Sequence, residues 1–247
     1  MKFAFLYHLC LFLAIAGCTK QPKGEMAKIS DPENVSRKPE GTIYKIDTAT
    51  SIVTWIGTNP TSRHNGIFKI RDGSVNVVKR DSMGSENQEL KTYTTINNAQ
   101  LTIDITSLDI LNLKPDPEQY KELLKYLESE DFFHTEKFPD ALFELISIRE
   151  IEKDSTERIN DEFTIIDPTH LIRGNLTMKG ITKSIEFPAR VDMRNRKLEA
   201  SAKFNIDRTV WNINYMDETD LVARTKDGLI DHIVNVGFEI LAYSQEP

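Results

Sequence analysis

With 247 residues, 39 % of them hydrophobic, the chain has enough apolar material for one large β domain or two small ones, which excludes a disordered protein. Acidic side chains outnumber basic ones by 38 to 31, for a formal charge of −7, and the sequence holds no run of Lys and Arg along a helix or strand. Nucleic-acid backbones are bound through such clusters, so that class of partner is excluded too.

The first segment is not part of a fold. MKFAFLYHLCLFLAIAG, residues 1–17, places one lysine before a mostly apolar run that ends in small residues, the layout of a secretory signal, and it is too short to span a bilayer. The ending Ile15-Ala16-Gly17-Cys18 resembles a bacterial lipobox, after which Cys18 becomes the lipidated first residue and the lipid anchor. An ordinary signal with an incidental cysteine, or an uncleaved anchor, is the alternative. Cys10 and Cys18 are the only cysteines, so the mature chain holds no disulfide despite being exported. Pro22, Pro32 and Pro39 among many polar residues mark the next segment as a flexible tether, making 18–41 a lipidated cysteine plus tether and 42–245 the domain. A coil of that length would hold the domain roughly 25–30 Å from the membrane.

From residue 42 onward the signal has period two, as in antiparallel sheets with one wet face. Strands are expected over 43–47, 51–58, 66–71, 74–80 and 141–151, and AQLTIDITSL aligns Leu101, Ile103 and Ile105 on one side. One helix interrupts them. Asp116 suits its N-cap, Pro117 its first position and Gln119 a capping box, with Tyr120, Leu123, Leu124 and Leu127 forming an apolar stripe that packs on strands or plugs a barrel end.

The run from His170 to Val191 is a hairpin broken at Lys179-Gly180, with pairs whose numbers sum to 359. One face gathers Ile172, Gly174, Leu176, Ile185 and Phe187; the other sets Arg173 against Glu186, an opposite-charge pair. A slip of one residue would mix the faces, so the sheet has a defined inside. Lys183 is the exception on that inside, either leaning past the rim into solvent or meeting an anionic head group. KLEASAKFNID continues the inner face with Leu198, Ala200, Ala202, Phe204 and Ile206, and the closing stretch with Val234, Val236, Phe238 and Ile240.

Several segments together resemble the YceI-like family, bacterial polyisoprenoid-binding domains with a lipocalin-like barrel. They are YKIDTATSIVTWIG, HNGIF, LTIDITSLDI, YLESEDFFHTEKFPDALFEL, GNLTMKGITKSIEFP, FNIDRTVWNI and IVNVGFEILA, in family order from about residue 42 to 243. The resemblance implies an all-β fold, an antiparallel eight-stranded lipocalin-like barrel with one short α-helix, exported to the periplasm and holding a long isoprenoid lipid inside. Three features depart from the family pattern: the lipidated cysteine, a polar insertion around 82–89, and the loop 214–230. On this reading Trp55, Phe68, Leu101, Ile103, Ile172, Gly174, Leu176, Ile185, Phe187, Ala200, Ala202, Phe204, Val236 and Phe238 line the cavity. Gly174 and the alanines are expected to leave room among the phenylalanines, since an eight-stranded barrel is near the size at which its interior is either filled or holds one small molecule.

The polar candidates are few. His64, read as a loop residue, is a candidate for a ligand head group, and Arg208 suits either a buried carboxylate or a phosphate. His64, His134, His170 and His232 form no close pair and no thiol remains, so no metal site is expected. Neither a nucleophile elbow nor a phosphate loop is present, so no covalent chemistry is expected. The leading expectation is a membrane-anchored periplasmic lipid carrier whose only bound group is a polyprenyl lipid or quinone, with a lean to the outer membrane because Thr19-Lys20 lacks an acidic retention-like residue. Two rivals stand beside it: a sealed barrel that docks partners through its loops, and a hydrolase acting on a lipid.

Overall fold

The computed structural model describes residues 22–35, 38–59, 62–83, 90–151, 162–213 and 231–245; the leader 1–17, Cys18, residues 84–89 of the polar insertion and the loop 214–230 lie outside them. Among the described residues ten strands and one α-helix follow in order: β1 (Lys28–Ser30), β2 (Thr42–Ile46), β3 (Ile52–Thr58), β4 (Arg63–Met83), β5 (Leu90–Ile110), α1 (Pro117–Glu128), β6 (Asp140–Glu150), β7 (His170–Met178), β8 (Ile181–Arg194), β9 (Lys197–Asp207) and β10 (Ile233–Ser244). Antiparallel pairing runs β4-β5-β6-β7-β8-β9-β10, and β2 and β3 each bridge β10 to β4. The sheet therefore closes into an eight-stranded barrel in which β2 and β3 share one position.

The hairpin behaves as its sequence dictates. Every pair from His170↔Ala189 to Met178↔Ile181 sums to 359, and Lys179 and Gly180 both have positive φ, 49° and 75°, as a two-residue type I′ turn requires. The strands expected at 66–71 and 74–80 are one strand. At Arg71 the β4–β5 ladder changes register through a bulge between Ile70 and Asp72, and β4 continues past it. Arg71 bridges Asp104 of β5 and Asp140 of β6, each at 2.7 Å.

Helix α1 starts where its caps demand: the Asp116 side chain accepts from the Gln119 N–H at 3.1 Å, and Gln119 Nε2 returns a bond to Asp116 Oδ2 at 2.7 Å. It lies at the end of the barrel that also carries the β3–β4 connection, the β7–β8 turn and the 3-10 turn Arg208–Trp211. Trp211 is fully buried there, donating from Nε1 to the Leu176 carbonyl at 3.1 Å, and Lys179 at the hairpin tip donates to the carbonyls of Glu130 and Asn212. This end of the barrel is thus tied together by side chains from the 3-10 turn and the β7–β8 turn.

The segment expected to be a flexible tether is in part bound to the barrel. Met26 to Ser30 alternates as any edge strand does, with Ala27 buried and Ile29 packed against the core, and β1 pairs with Ser184 to Glu186 of β8. Beyond it the Glu33 N–H donates to Asn175 Oδ1 and Asn175 Nδ2 donates back to the Glu33 carbonyl at 2.7 Å. Arg173 and Glu186, opposite each other in register, turn instead to this segment: Arg173 pairs with Glu33, and Glu186 with Lys28 at 3.3 Å. Two charges on the polar face of the hairpin hold a strand that pattern reading assigned to solvent.

Candidate functional site

The barrel interior is not filled by its own side chains. A cavity of about 380 Å³ runs inside it, within the roughly 300–1,000 Å³ of small-molecule sites. Its wall comes from every position of the barrel because inward-facing residues recur at every second place: Val53 and Trp55 of β3, Phe68 and Ile70 of β4, Leu101, Ile103 and Ile105 of β5, Ala141, Phe143 and Leu145 of β6, Ile172 and Leu176 of β7, Ile185, Phe187 and Val191 of β8, Leu198, Ala200, Phe204 and Ile206 of β9, and Val234, Val236, Phe238 and Ile240 of β10.

Two aromatic groups bound the space. Phe187 stacks on Phe204 with centroids 4.2 Å apart and meets Phe238 edge-on at 5.8 Å and Phe143 at 6.2 Å. Toward the helix, Phe68 meets Phe133 at 5.6 Å, Phe133 meets Phe132 at 4.9 Å, and Tyr126 tilts onto Phe132. Leu123 and Leu127 of α1 join these rings on the cavity wall, so the helix plugs one end with its apolar stripe.

Two residues expected on the wall are not there. Gly174 leaves no open space: a Cβ built on it would meet the Phe143 ring at 2.3 Å, so its missing side chain is already used by Phe143, which lines the cavity in its place. Ala202 shares the inner face but is fully buried opposite Phe238 on β10 and does not reach the cavity. The remaining residues expected there, Trp55, Phe68, Leu101, Ile103, Ile172, Leu176, Ile185, Phe187, Ala200, Phe204, Val236 and Phe238, all line it. Strand alternation gives no sign of Phe132, Phe133 and Tyr126, which stand on and after the helix. It does extend to Ala141, Phe143 and Leu145, which sequence reasoning nevertheless missed.

The polar candidates separate. His64 lies on β4 rather than in a loop, opposite Gly57 of β3, and reaches the cavity. Asn112 accepts the Asn65 N–H on its oxygen and donates from Nδ2 to the Arg63 carbonyl and to His64 Nδ1 at 3.3 Å. His64 Nδ1 is therefore an acceptor, and its Nε2–H points to Ser62 Oγ at 3.2 Å. Burial lowers its pKa and favours the neutral imidazole. Arg208 also borders the cavity, 2 % exposed, with Nε on the Asp231 carbonyl at 3.0 Å, Nη1 on the Ile213 carbonyl, and its guanidinium 5.8 Å from the Phe132 centroid. It thereby fastens both flanks of 214–230.

Lys183 does not border the cavity. It leans over the rim to Asp31 at 3.1 Å, a partner supplied by the N-terminal segment. On the wall itself Trp55 Nε1 is buried with no hydrogen-bond partner among the described residues. At the end away from α1, a wider and more polar hollow of about 770 Å³, with Arg80, Tyr93, Asn97, Glu150 and His170, adjoins the cavity through Ile96, Ile148 and Val191. Among the described residues no three His, Cys, Asp or Glu side chains gather as metal ligands, and no helix is long and apolar enough to cross a membrane.

A family model described as the YceI-like domain matches residues 44–242. A solved polyisoprenoid binding domain from Saccharophagus degradans, implicated in plant cell wall breakdown, aligns at 14 % identity with a TM-score of 0.52, covering 81 % of this chain and 98 % of that one. BcnA from Burkholderia cenocepacia aligns at 17 % identity with a TM-score of 0.48, over 79 % and 98 % of the two chains. A curated relative, UPF0312 protein plu2095 of Photorhabdus laumondii, is 30 % identical over 89 residues, 36 % of this chain and 34 % of that protein. The chain thus matches about a third of that relative's length.

Proposed function

Because the chain belongs to the YceI-like domain family, we propose that it is a lipid-binding protein of the cell envelope that carries or stores an isoprenoid-type amphiphile, a polyprenyl phosphate or a quinone, without covalent chemistry. One observation carries the reading: a closed barrel encloses an apolar cavity of about 380 Å³ whose wall spans every strand position. Burying hydrocarbon contributes about 0.8 kcal/mol per CH₂, so a few prenyl units supply ample gross driving force before ordering costs. Selectivity then rests on chain length and head group. His64 and Arg208 are among the polar groups bordering the helix end of the cavity, with Thr58, Asn59 and Tyr126, and both are already engaged by protein partners. The Saccharophagus degradans neighbour, a polyisoprenoid binding domain, agrees with this ligand class.

The anchored, periplasmic part of the proposal rests on the leader and on Cys18. The bound N-terminal segment begins at Pro22, so an acylated Cys18 would stand four residues before it, a reach of at most about 14 Å. The domain would ride close to the bilayer rather than at the end of a long tether.

Ala200→Trp tests the cavity reading, since it places a large ring on the β9 wall while leaving strand pairing intact. Binding of a fluorescent prenyl-chain probe should fall at least tenfold with the β circular-dichroism spectrum unchanged. Undiminished binding by a folded variant would contradict the proposal.

A further inference from the structure

The barrel wall is interrupted between β8 and β9. These strands pair directly only where Arg190 to Arg194 faces Lys197 to Ser201, next to their connecting turn. Further along they separate, and the N-terminal segment occupies the gap. On one side β1 is antiparallel to β8, with Lys28 opposite Glu186, Ile29 opposite Ile185 and Ser30 opposite Ser184. On the other, Met26 bridges Asn205 of β9 in parallel: the Asn205 N–H donates to the Glu25 carbonyl at 2.7 Å and the Ala27 N–H to the Asn205 carbonyl at 2.9 Å. Asn205 Nδ2 adds bonds to the carbonyls of Pro22 and Gly24 at 2.6 and 2.8 Å.

The residues flanking this gap, Ile185 and Phe187 of β8 and Phe204 and Ile206 of β9, all line the lipid-sized cavity. From the N-terminal segment Pro22, Ala27 and Ile29 bring apolar side chains over it, and behind them Phe187 and Phe204 stack across it at 4.2 Å. The charged contacts that hold the segment, Lys28 with Glu186, Lys183 with Asp31 and Arg173 with Glu33, are solvent-exposed on at least one partner, and such pairs contribute little in water. The neighbouring seam is different in kind, since β9 and β10 pair without interruption from Asp207↔Ile233 to Lys197↔Tyr243. The α1 end is filled by Phe132, Phe133 and buried Trp211 and is bound across by Lys179 and Arg208.

We propose that residues 22–30 are a displaceable latch, and that the β8–β9 gap behind it is the lateral portal through which the lipid passes between the cavity and a membrane. A segment with three residues paired to β8 and one bridged to β9, held largely by hydrogen bonds to these two strands, opens by local fluctuation well before the barrel unfolds. The latch is also the described part of the chain nearest Cys18, so a membrane anchor there brings the portal to the lipid. The proposal rests on the lipid-binding reading above.

Lys28→Cys with Glu186→Cys in the full-length chain tests it, because these are Cα partners across an antiparallel pair, where a disulfide can close. Uptake of a fluorescent geranylgeranyl lipid from phosphatidylcholine vesicles should be at least tenfold slower in the oxidised double variant, verified by non-reducing peptide mass analysis, and should recover on reduction. Lipid loaded before oxidation should stay bound. Lys28→Glu, which sets like charges together at the latch, should speed uptake severalfold. Equal uptake rates in oxidised and reduced forms that both bind the probe would overturn the portal and leave lipid binding standing. No uptake by the unmodified protein would overturn lipid binding, and the portal with it.

Discussion

His64 enters the cavity wall as a neutral imidazole, and His170 near the opposite end is in a comparable state. Burial lowers the pKa of both, against a smaller upward pull from Glu150 on the second. Since the unfolded chain binds these protons more readily than the folded one, their contribution to stability is complete above the unfolded value of about 6.5 and is lost as pH falls below it. Carboxylates held low by cations, such as Asp109 beside Lys114, act in the same direction but in more acidic solution, so the window from about pH 7 to 5 belongs to the histidines. The urea midpoint should be flat from pH 8 to 7 and fall toward pH 5, and replacing both histidines by Gln should flatten that fall. A midpoint that rises on acidification would contradict the assignment. Single residues were also where sequence reading was least secure: a glycine on the inner face looked like empty space, but Gly174 is the seat of the Phe143 ring contributed by the adjacent strand.

At the scale of elements, legibility followed the length of the pattern. The β7–β8 hairpin was readable to the residue because period two on both arms and a two-residue turn leave a single register that keeps the faces apart. Helix α1 was readable because its cap, proline and stripe are local. β4 read as two strands because a bulge at Arg71 shifts the alternation without ending the strand. β1 escaped notice for a different reason: three residues between prolines carry no measurable periodicity, and its partner on β8 lies more than 150 positions away. Asn205 is the residue that fixes it on the β9 side, through side-chain bonds to Pro22 and Gly24. Asn205→Ala should therefore raise amide exchange of residues 25–30 at least tenfold by mass spectrometry, while the β9–β10 ladder keeps its protection. Equal exchange in the variant and the parent chain would show that the segment is held by other contacts.

For the whole molecule, the resemblance carried the architecture and the cavity carries the function. A sequence can show that one face of each strand is apolar, but whether eight such faces meet as a solid core or around a space depends on how Phe143, Phe187, Phe204 and Phe238 share the interior, a matter of three-dimensional packing. The space inside this barrel, walled by aliphatic and aromatic side chains with its polar groups at the margins, argues against a sealed barrel and supports the proposed lipid binding. The central claim is that this space holds an isoprenoid-type lipid. The most direct measurement is solvent extraction of the protein purified from its native envelope, followed by mass spectrometry of the extract against the amount of protein. The account predicts close to one isoprenoid-type lipid per chain, lost from Ala200→Trp purified in the same way; a folded native protein that yields no lipid would contradict it.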